Sequence, residues 1–196
     1  RRQRQMCIRD SMATLEDGYG INLLPLATFA MEAYGDDPCA LFMPKTKFAD
    51  NAMDEKTTRL IAQMHKAITI IQFKLEGEII RRRPEFEMDD RMLLHHIDLK
   101  RGVVHIDGKD YTLKDTNWPT LDPKDPYRLS IEEEDLIRKI LHSFESSEKM
   151  KKHMRCFFRH GGMYQVCNSN LLFHASIPMN PDGTFKKVNV YGREYS

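Results

Sequence analysis

The chain has 196 residues, 41% of them apolar and 30% charged. That make-up belongs to a globular protein and excludes a disordered tail or a collagen-like rod; no apolar run nears the roughly 20 residues that cross a bilayer. The net charge of +1, from 30 Lys and Arg against 29 Asp and Glu, gives no reason to expect nucleic acid or an anionic membrane as partner.

Charge is uneven at the start. Residues 1–11 hold four Arg and one Asp, and the rest carries 26 Lys and Arg against 28 Asp and Glu, a net of −2. No apolar stretch follows these charges, so the segment does not read as an export signal. It is similar to a translated sequencing-adapter or assembly artefact, with a disordered basic arm as the alternative, and fold expectations begin at residue 12. Cys7, Cys39, Cys156 and Cys167 form no C-x-x-C pair and are expected as reduced thiols in a cytoplasm. Cys156, in an apolar run, reads as buried and inert.

In chain order, Ile21 to Tyr34 has helical composition and stops at Gly35-Asp36-Asp37-Pro38. Ala40 to Met43 is a short apolar patch ended by Pro44. A long helix is predicted from Asp54 to Arg83, with Leu60, Ile61, Met64, Ala67, Ile68, Ile71, Leu75 and Ile79 as its buried stripe. Pro84 ends it, because the residue before a proline is pushed out of the α region. Met88 to Ile97 reads as one further short helix. Val103 to Leu113 reads as a hairpin about a type I′ turn at Asp107-Gly108, which pairs Ile106 with Lys109, His105 with Asp110 and Val104 with Tyr111. Asn117 to Asp125 is a proline-rich loop.

Ser130 and Glu133 form a capping box that opens a helix with Leu136, Ile137, Ile140, Leu141 and Phe144 on one side. A second helix, Ser147 to Arg159, has Met150, Met154, Phe157 and Phe158 as its expected buried stripe. Met163 to Cys167 and Leu171 to Ile177 read as strands, Pro181 to Thr184 as a turn, and Phe185 to Tyr191 as a further strand.

Eight His are the first candidates for chemistry. His65 lacks a partner at helical spacing and reads as a packing residue. His95 and His96 are adjacent, so on a helix they point about 100° apart and are poor co-ligands. His105 beside Asp110 reads as an exposed cross-strand pair, and His142 and His153 as solvated. Gly161, after His160, reads as a helix C-cap with positive φ. His174 differs: it follows Leu171-Leu172-Phe173, an apolar run typical of a strand buried on both faces, and precedes Ala175 and Ser176, which leave room for a metal or phosphate. Spacing alone leaves a metal ligand and a satisfied core histidine both open. Asp36 and Asp37 read as turn residues and Asp89 and Asp90 as helix-start residues. Arg81, Arg82 and Arg83 could grip a phosphate ester, or be the solvated end of a helix.

Longer stretches carry more. Leu23 to Ala27, Asp54 to Ala67, Glu76 to Pro84, Asp115 to Thr120 and Asn168 to Pro178 together resemble the middle of a bacterial class III fructose-1,6-bisphosphatase. The resemblance runs from Thr14 to Ser196. It implies an α/β fold: a helical insertion plus part of a calcineurin-like metallophosphoesterase sandwich. Residues 12–160 would be the mainly helical region, with a hairpin near 103–113, and 161–196 a β segment of the metallophosphatase core. It implies an internal fragment of an enzyme that hydrolyses fructose 1,6-bisphosphate to fructose 6-phosphate and phosphate in gluconeogenesis, with a binuclear manganese site. By the same likeness His174 binds the second metal; Ala175 stands where the family usually has Gly. The other ligands would lie outside these residues, and Arg81, Arg82 and Arg83 are weak candidates for the sugar bisphosphate. The expected setting is cytoplasmic, without membrane or nucleic-acid partners and with a possible homo-oligomer. The competing expectation is a non-catalytic helical protein-interaction module.

Overall fold

A computed structural model of the protein describes residues 12–44, 54–162, 164–173 and 178–195. Four helices form its body: α1 (Leu24–Tyr34), α2 (Glu55–Arg82), α3 (Ile131–Ser146) and α4 (Glu148–His160). Helix α2 has the bounds its sequence dictates. Asp54 caps it, accepting from the Thr57 amide at 2.9 Å, and the helix stops at Arg82, two residues before Pro84.

Helices α1, α2 and α3 close one core. Ala30, Ala62 and Ala67 are fully buried between them, with Ile71, Phe29 and Leu136; the small residues let α1 and α2 approach closely. The carbonyls freed at the end of α1 are met from α2, with Gln63 donating to Tyr34 O at 2.8 Å and Arg59 to Gly35 O at 2.8 Å. The buried face of α2 differs in part from the expected stripe. Ile79 is exposed, whereas Ile70, Gly77 and Ile80 are buried, together with the polar Gln63, Lys66 and Lys74. On α3, Ile137, Ile140 and Phe144 pack on the core as expected but Leu141 is exposed.

The capping box at Ser130 has both of its bonds: Ser130 Oγ accepts from the Glu133 amide at 3.2 Å, and Glu133 Oε2 accepts from the Ser130 amide at 2.7 Å. Ser130→Ala removes one of them and is expected to cost about 1 kcal/mol. Amide exchange in the first turn of α3 should then quicken about fivefold, since 1.4 kcal/mol is tenfold in an equilibrium constant.

A second, smaller cluster gathers Leu94, Leu121 and Tyr127, and Trp118 bridges it to the first. It supports a three-stranded antiparallel sheet of β1 (Ile97–Asp98), β2 (Val103–Ile106) and β3 (Lys109–Thr112). The β2–β3 register is the expected one throughout, and the turn has Asp107 at φ 49° and Gly108 at φ 75°, as type I′ geometry requires. His105 and Asp110 form the exposed cross-strand pair, Nδ1 to Oδ1 at 2.9 Å.

Between Met88 and Ile97 the single helix expected is two separate 3₁₀ turns, Asp89–Arg91 and Leu94–His96. The reason is tertiary: the Leu94 amide, which a continuous helix would give to the carbonyl of residue 90, donates to Tyr127 Oη at 3.0 Å.

The last strands are local hairpins. β4 (Tyr164–Cys167) pairs with β5 (Asn170–Phe173) across a turn with Asn168 and Ser169 both at positive φ. β6 (Val188–Val190) pairs with β7 (Arg193–Tyr195), so the strand expected over Phe185–Tyr191 is shorter and is followed by another. The turn over Pro181 to Thr184 is present. The mixture of helix and sheet agrees with the α/β class, and every strand pair among the described residues is antiparallel. No helix among the described residues is long and apolar enough to cross a membrane.

Four expectations fail at this end of the chain. Helix α4 has no buried residue, and Phe157 and Phe158 are 70% and 84% exposed. Leu171, Leu172 and Phe173 are exposed on β5 rather than buried on both faces, because the described residues supply nothing to cover them. Cys156 is exposed too. Gly161 does cap α4, but with φ −72° rather than a positive φ; its need for glycine is space, since a Cβ there would lie 2.5 Å from Phe157 O.

Candidate functional site

The end of α2 brings charged and aromatic groups together. Arg81 Nη1 donates to Glu78 Oε1 at 2.9 Å and to Asp125 Oδ1 at 3.0 Å, and its guanidinium lies over the Tyr127 ring, 4.7 Å from the centroid. Arg82 donates through Nε to the Glu78 carbonyl at 3.2 Å. Arg83 sits 3.6 Å from Glu85 and 5.0 Å over the Tyr191 ring, which joins the β6–β7 turn to this end of the helix. All three side chains are exposed. Arg81 is held by two carboxylates, so a phosphate must compete with them for it; Arg82 and Arg83 keep more of their donors for solvent.

His95 and His96 border the same cluster. Their rings are 3.9 Å apart, and His95 Nδ1 is 3.0 Å from Tyr127 Oη. Burial, then the neighbouring His96 and Arg81, push the His95 imidazole below its usual value, so it favours the neutral form. His65 packs edge-on against Phe42, 5.2 Å between centroids, which is the packing role expected for it. His153 meets Tyr19 Oη at 2.9 Å.

A buried ionic network lies nearer the start of α2, on the same side as Arg81. Lys66, fully buried, donates to Asp37 Oδ2 at 2.5 Å and lies 2.7 Å from Asp115 Oδ2. Asn117 donates to Asp37 Oδ2 at 2.8 Å, and the Cys39 amide to Asp37 Oδ1 at 2.7 Å. Burial pushes the Asp37 carboxyl up, but the bonds from Lys66, Cys39 and Asn117 outweigh it and hold it below the usual carboxylate range. Burial, with Asp37 adding to it, pushes the Cys39 thiol up to about 11, so it stays protonated and unreactive. Two turns further on, Lys74 donates to Glu133 Oε2 and to Thr120 O, both at 2.6 Å.

The stretch Asp115 to Thr120 is thus a clamp along α2, with Asp115 at Lys66, Asn117 at the Asp37 that Lys66 also holds, the Thr120 carbonyl at Lys74, and Trp118 packed between the two cores. Asp37, a turn residue by its sequence, is an ion-pair partner, and neither lysine is among the residues the sequence singles out. The signal was present: Lys66 and Lys74 stand four residues either side of the buried Ile70, at stripe spacing.

His174 lies outside the described residues, as do Ala175 to Ile177 and residues 1–11. Among the described residues, no three His, Cys, Asp or Glu come together in a group that fits a metal ion.

Comparison with known proteins gives a consistent result. The profile of the family described as Firmicute fructose-1,6-bisphosphatase matches residues 4–196, a span that starts inside the basic segment. A protein of Parabacteroides distasonis named fructose-1,6-bisphosphatase class 3 is 94% identical over 192 residues, which are 97% of this chain and 29% of that protein. Proteins of the same name from Bacteroides fragilis and Clostridium novyi are 68% and 53% identical over 185 and 186 residues, each match covering 28% of the relative. The chain therefore spans less than a third of the length of these relatives. No solved structure matches it at significance.

Proposed function

Since the chain belongs to the family of Firmicute-type, class 3 fructose-1,6-bisphosphatases, we propose that it is part of an enzyme that hydrolyses fructose 1,6-bisphosphate to fructose 6-phosphate and phosphate. The observation that carries the reading is the match over residues 4–196, with 94% identity to one relative of that name. In the reaction a water oxygen bonds to phosphorus, the P–O bond to the sugar breaks, and the released sugar oxygen takes a proton. This chain's share is mainly architectural: a helical body beside the reacting centre, with residues 161–196 as a β segment of a metallophosphatase sandwich.

The described residues do not build a metal centre among themselves. In this proposal His174 joins ligands from the rest of the parent protein to hold manganese. Arg82 and Arg83 are the side chains best placed to meet a phosphate of the substrate, with Arg81 third because Glu78 and Asp125 already hold it. Gluconeogenesis in the cytoplasm is the setting this activity implies.

The test uses the complete protein with manganese and follows phosphate release from fructose 1,6-bisphosphate. His174→Ala is expected to lower kcat/KM about 100-fold or more, since even partners behind a metal ligand are worth 10- to 100-fold. No phosphate release by the unaltered protein overturns the activity. Full activity in His174→Ala returns that residue to a packing role.

A further inference from the structure

We propose that the apolar face of α4, formed by Met154, Phe157 and Phe158, is one half of an interface whose other half is the part of the parent protein outside residues 1–196. Met154, Phe157 and Phe158 are 43%, 70% and 84% exposed. They share one side of the helix at three- and four-residue spacing. The remainder of the helix is strongly basic: Lys149, Lys151, Lys152, Arg155 and Arg159 stand against the single acidic Glu148. The helical body reaches α4 along a flank. Tyr19 bonds His153 at 2.9 Å, lies 5.5 Å below the Lys149 ammonium, and gives its carbonyl to Ser147 Oγ at 2.7 Å. That attachment leaves the apolar side uncovered.

The hairpin that follows needs a cover for the same reason. From Tyr164 to Phe173 there is no charged side chain. The register places Tyr164, Val166, Leu171 and Phe173 on one face, and each of these is close to half exposed or more. A two-stranded ribbon alone is marginal in water, and natural open edges usually carry charge or proline to block further pairing. Exposed apolar side chains grouped on one face in this way mark interaction sites.

The occupant follows from length. The matched residues are 29% of the Parabacteroides distasonis relative, so more than two thirds of such a protein lies outside them. That remainder is covalently continuous with this region, so it meets this face at high effective concentration. The inference rests on the chain being part of a longer protein and not on which reaction that protein performs.

Hydroxyl-radical footprinting of the complete protein, read by peptide mass spectrometry, tests it. Met154, Phe157 and Phe158 should oxidise about 10-fold or more slowly in the folded protein than in urea, as the water-excluded core of an interface requires. The protection should be the same at low and high protein concentration. Cys156 shares the basic side with Lys149 and Lys152 and should remain open to iodoacetamide. Oxidation at the unfolded rate in folded protein overturns the inference. So does protection that appears only as a dimer forms, which assigns the face to a second copy. Phosphate release from the same sample separates the two proposals: active protein with an unprotected face rejects this one alone, and a protected face without hydrolysis rejects the activity alone.

Discussion

Lys66→Met is expected to cost the helical body about 3–5 kcal/mol, the usual result of removing one partner from a buried ion pair. The methionine fills the space but leaves Asp37, 6% exposed, and Asp115, 17% exposed, without the cation that joins them. Buried amides of α2 should exchange at least 100-fold faster, at 1.4 kcal/mol per tenfold. Adding Asp37→Asn removes one stranded charge and should restore part of the protection. Exchange within twofold of the unaltered protein would show that water already solvates this network.

The same site fixes a pH dependence. Asp37 is held below its usual value in the folded protein. A carboxyl lowered by folding stabilises at pH above its unfolded value, near 4, and that contribution is lost as pH falls through the folded value. Protection of the α2 amides should therefore decline below about pH 4, and less steeply in Asp37→Asn.

Gly77→Ala is expected to cost about 3 kcal/mol even though alanine is the better helix former by about 1 kcal/mol. A Cβ at this position lies 2.0 Å from Tyr127 Cδ1 and 2.4 Å from Cε1, so the ring must leave its seat. Overpacking of this kind costs about 1–3 kcal/mol. The displaced hydroxyl also abandons the buried Leu94 amide, for about 1–3 kcal/mol more. Exchange of the Leu94 amide should rise with the loss of the tyrosine. The double variant Gly77→Ala/Tyr127→Ala should lose less than the sum of its parts, because the clash exists only when both groups are present; strict additivity would refute the steric account.

What the sequence made legible was local. Pro84, the Ser130 capping box and the Asp107-Gly108 turn each carry their signal within a few residues, and the structure has each where the sequence puts it. Features set by distant groups were hidden. The break at Leu94 depends on a tyrosine 33 residues away. The spacing of Lys66 and Lys74 puts them on the buried side, but which carboxylates meet them there, Asp37, Asp115 and Glu133, no periodicity reports. The stripe of α4 has the pattern of a buried face, but pattern does not say where the covering surface lies. For the candidate site, the Arg81–Arg83 cluster was visible as a motif, while the claim of Glu78 and Asp125 on Arg81 was not.

The clamp on α2 has a mechanical consequence. At 1.5 Å per residue the helix is a rod about 42 Å long, and Lys66 and Lys74 are fastening points about 12 Å apart along it. A body pinned at one point can swivel, whereas one pinned at two cannot. The segment Asp115 to Thr120 has no regular secondary structure, yet it can neither slide along α2 nor rotate about it without freeing a buried lysine. Arg81, Arg82 and Arg83, about two to two and a half turns past the second pin, are thus carried on a rigid arm whose heading is set by the two lysines.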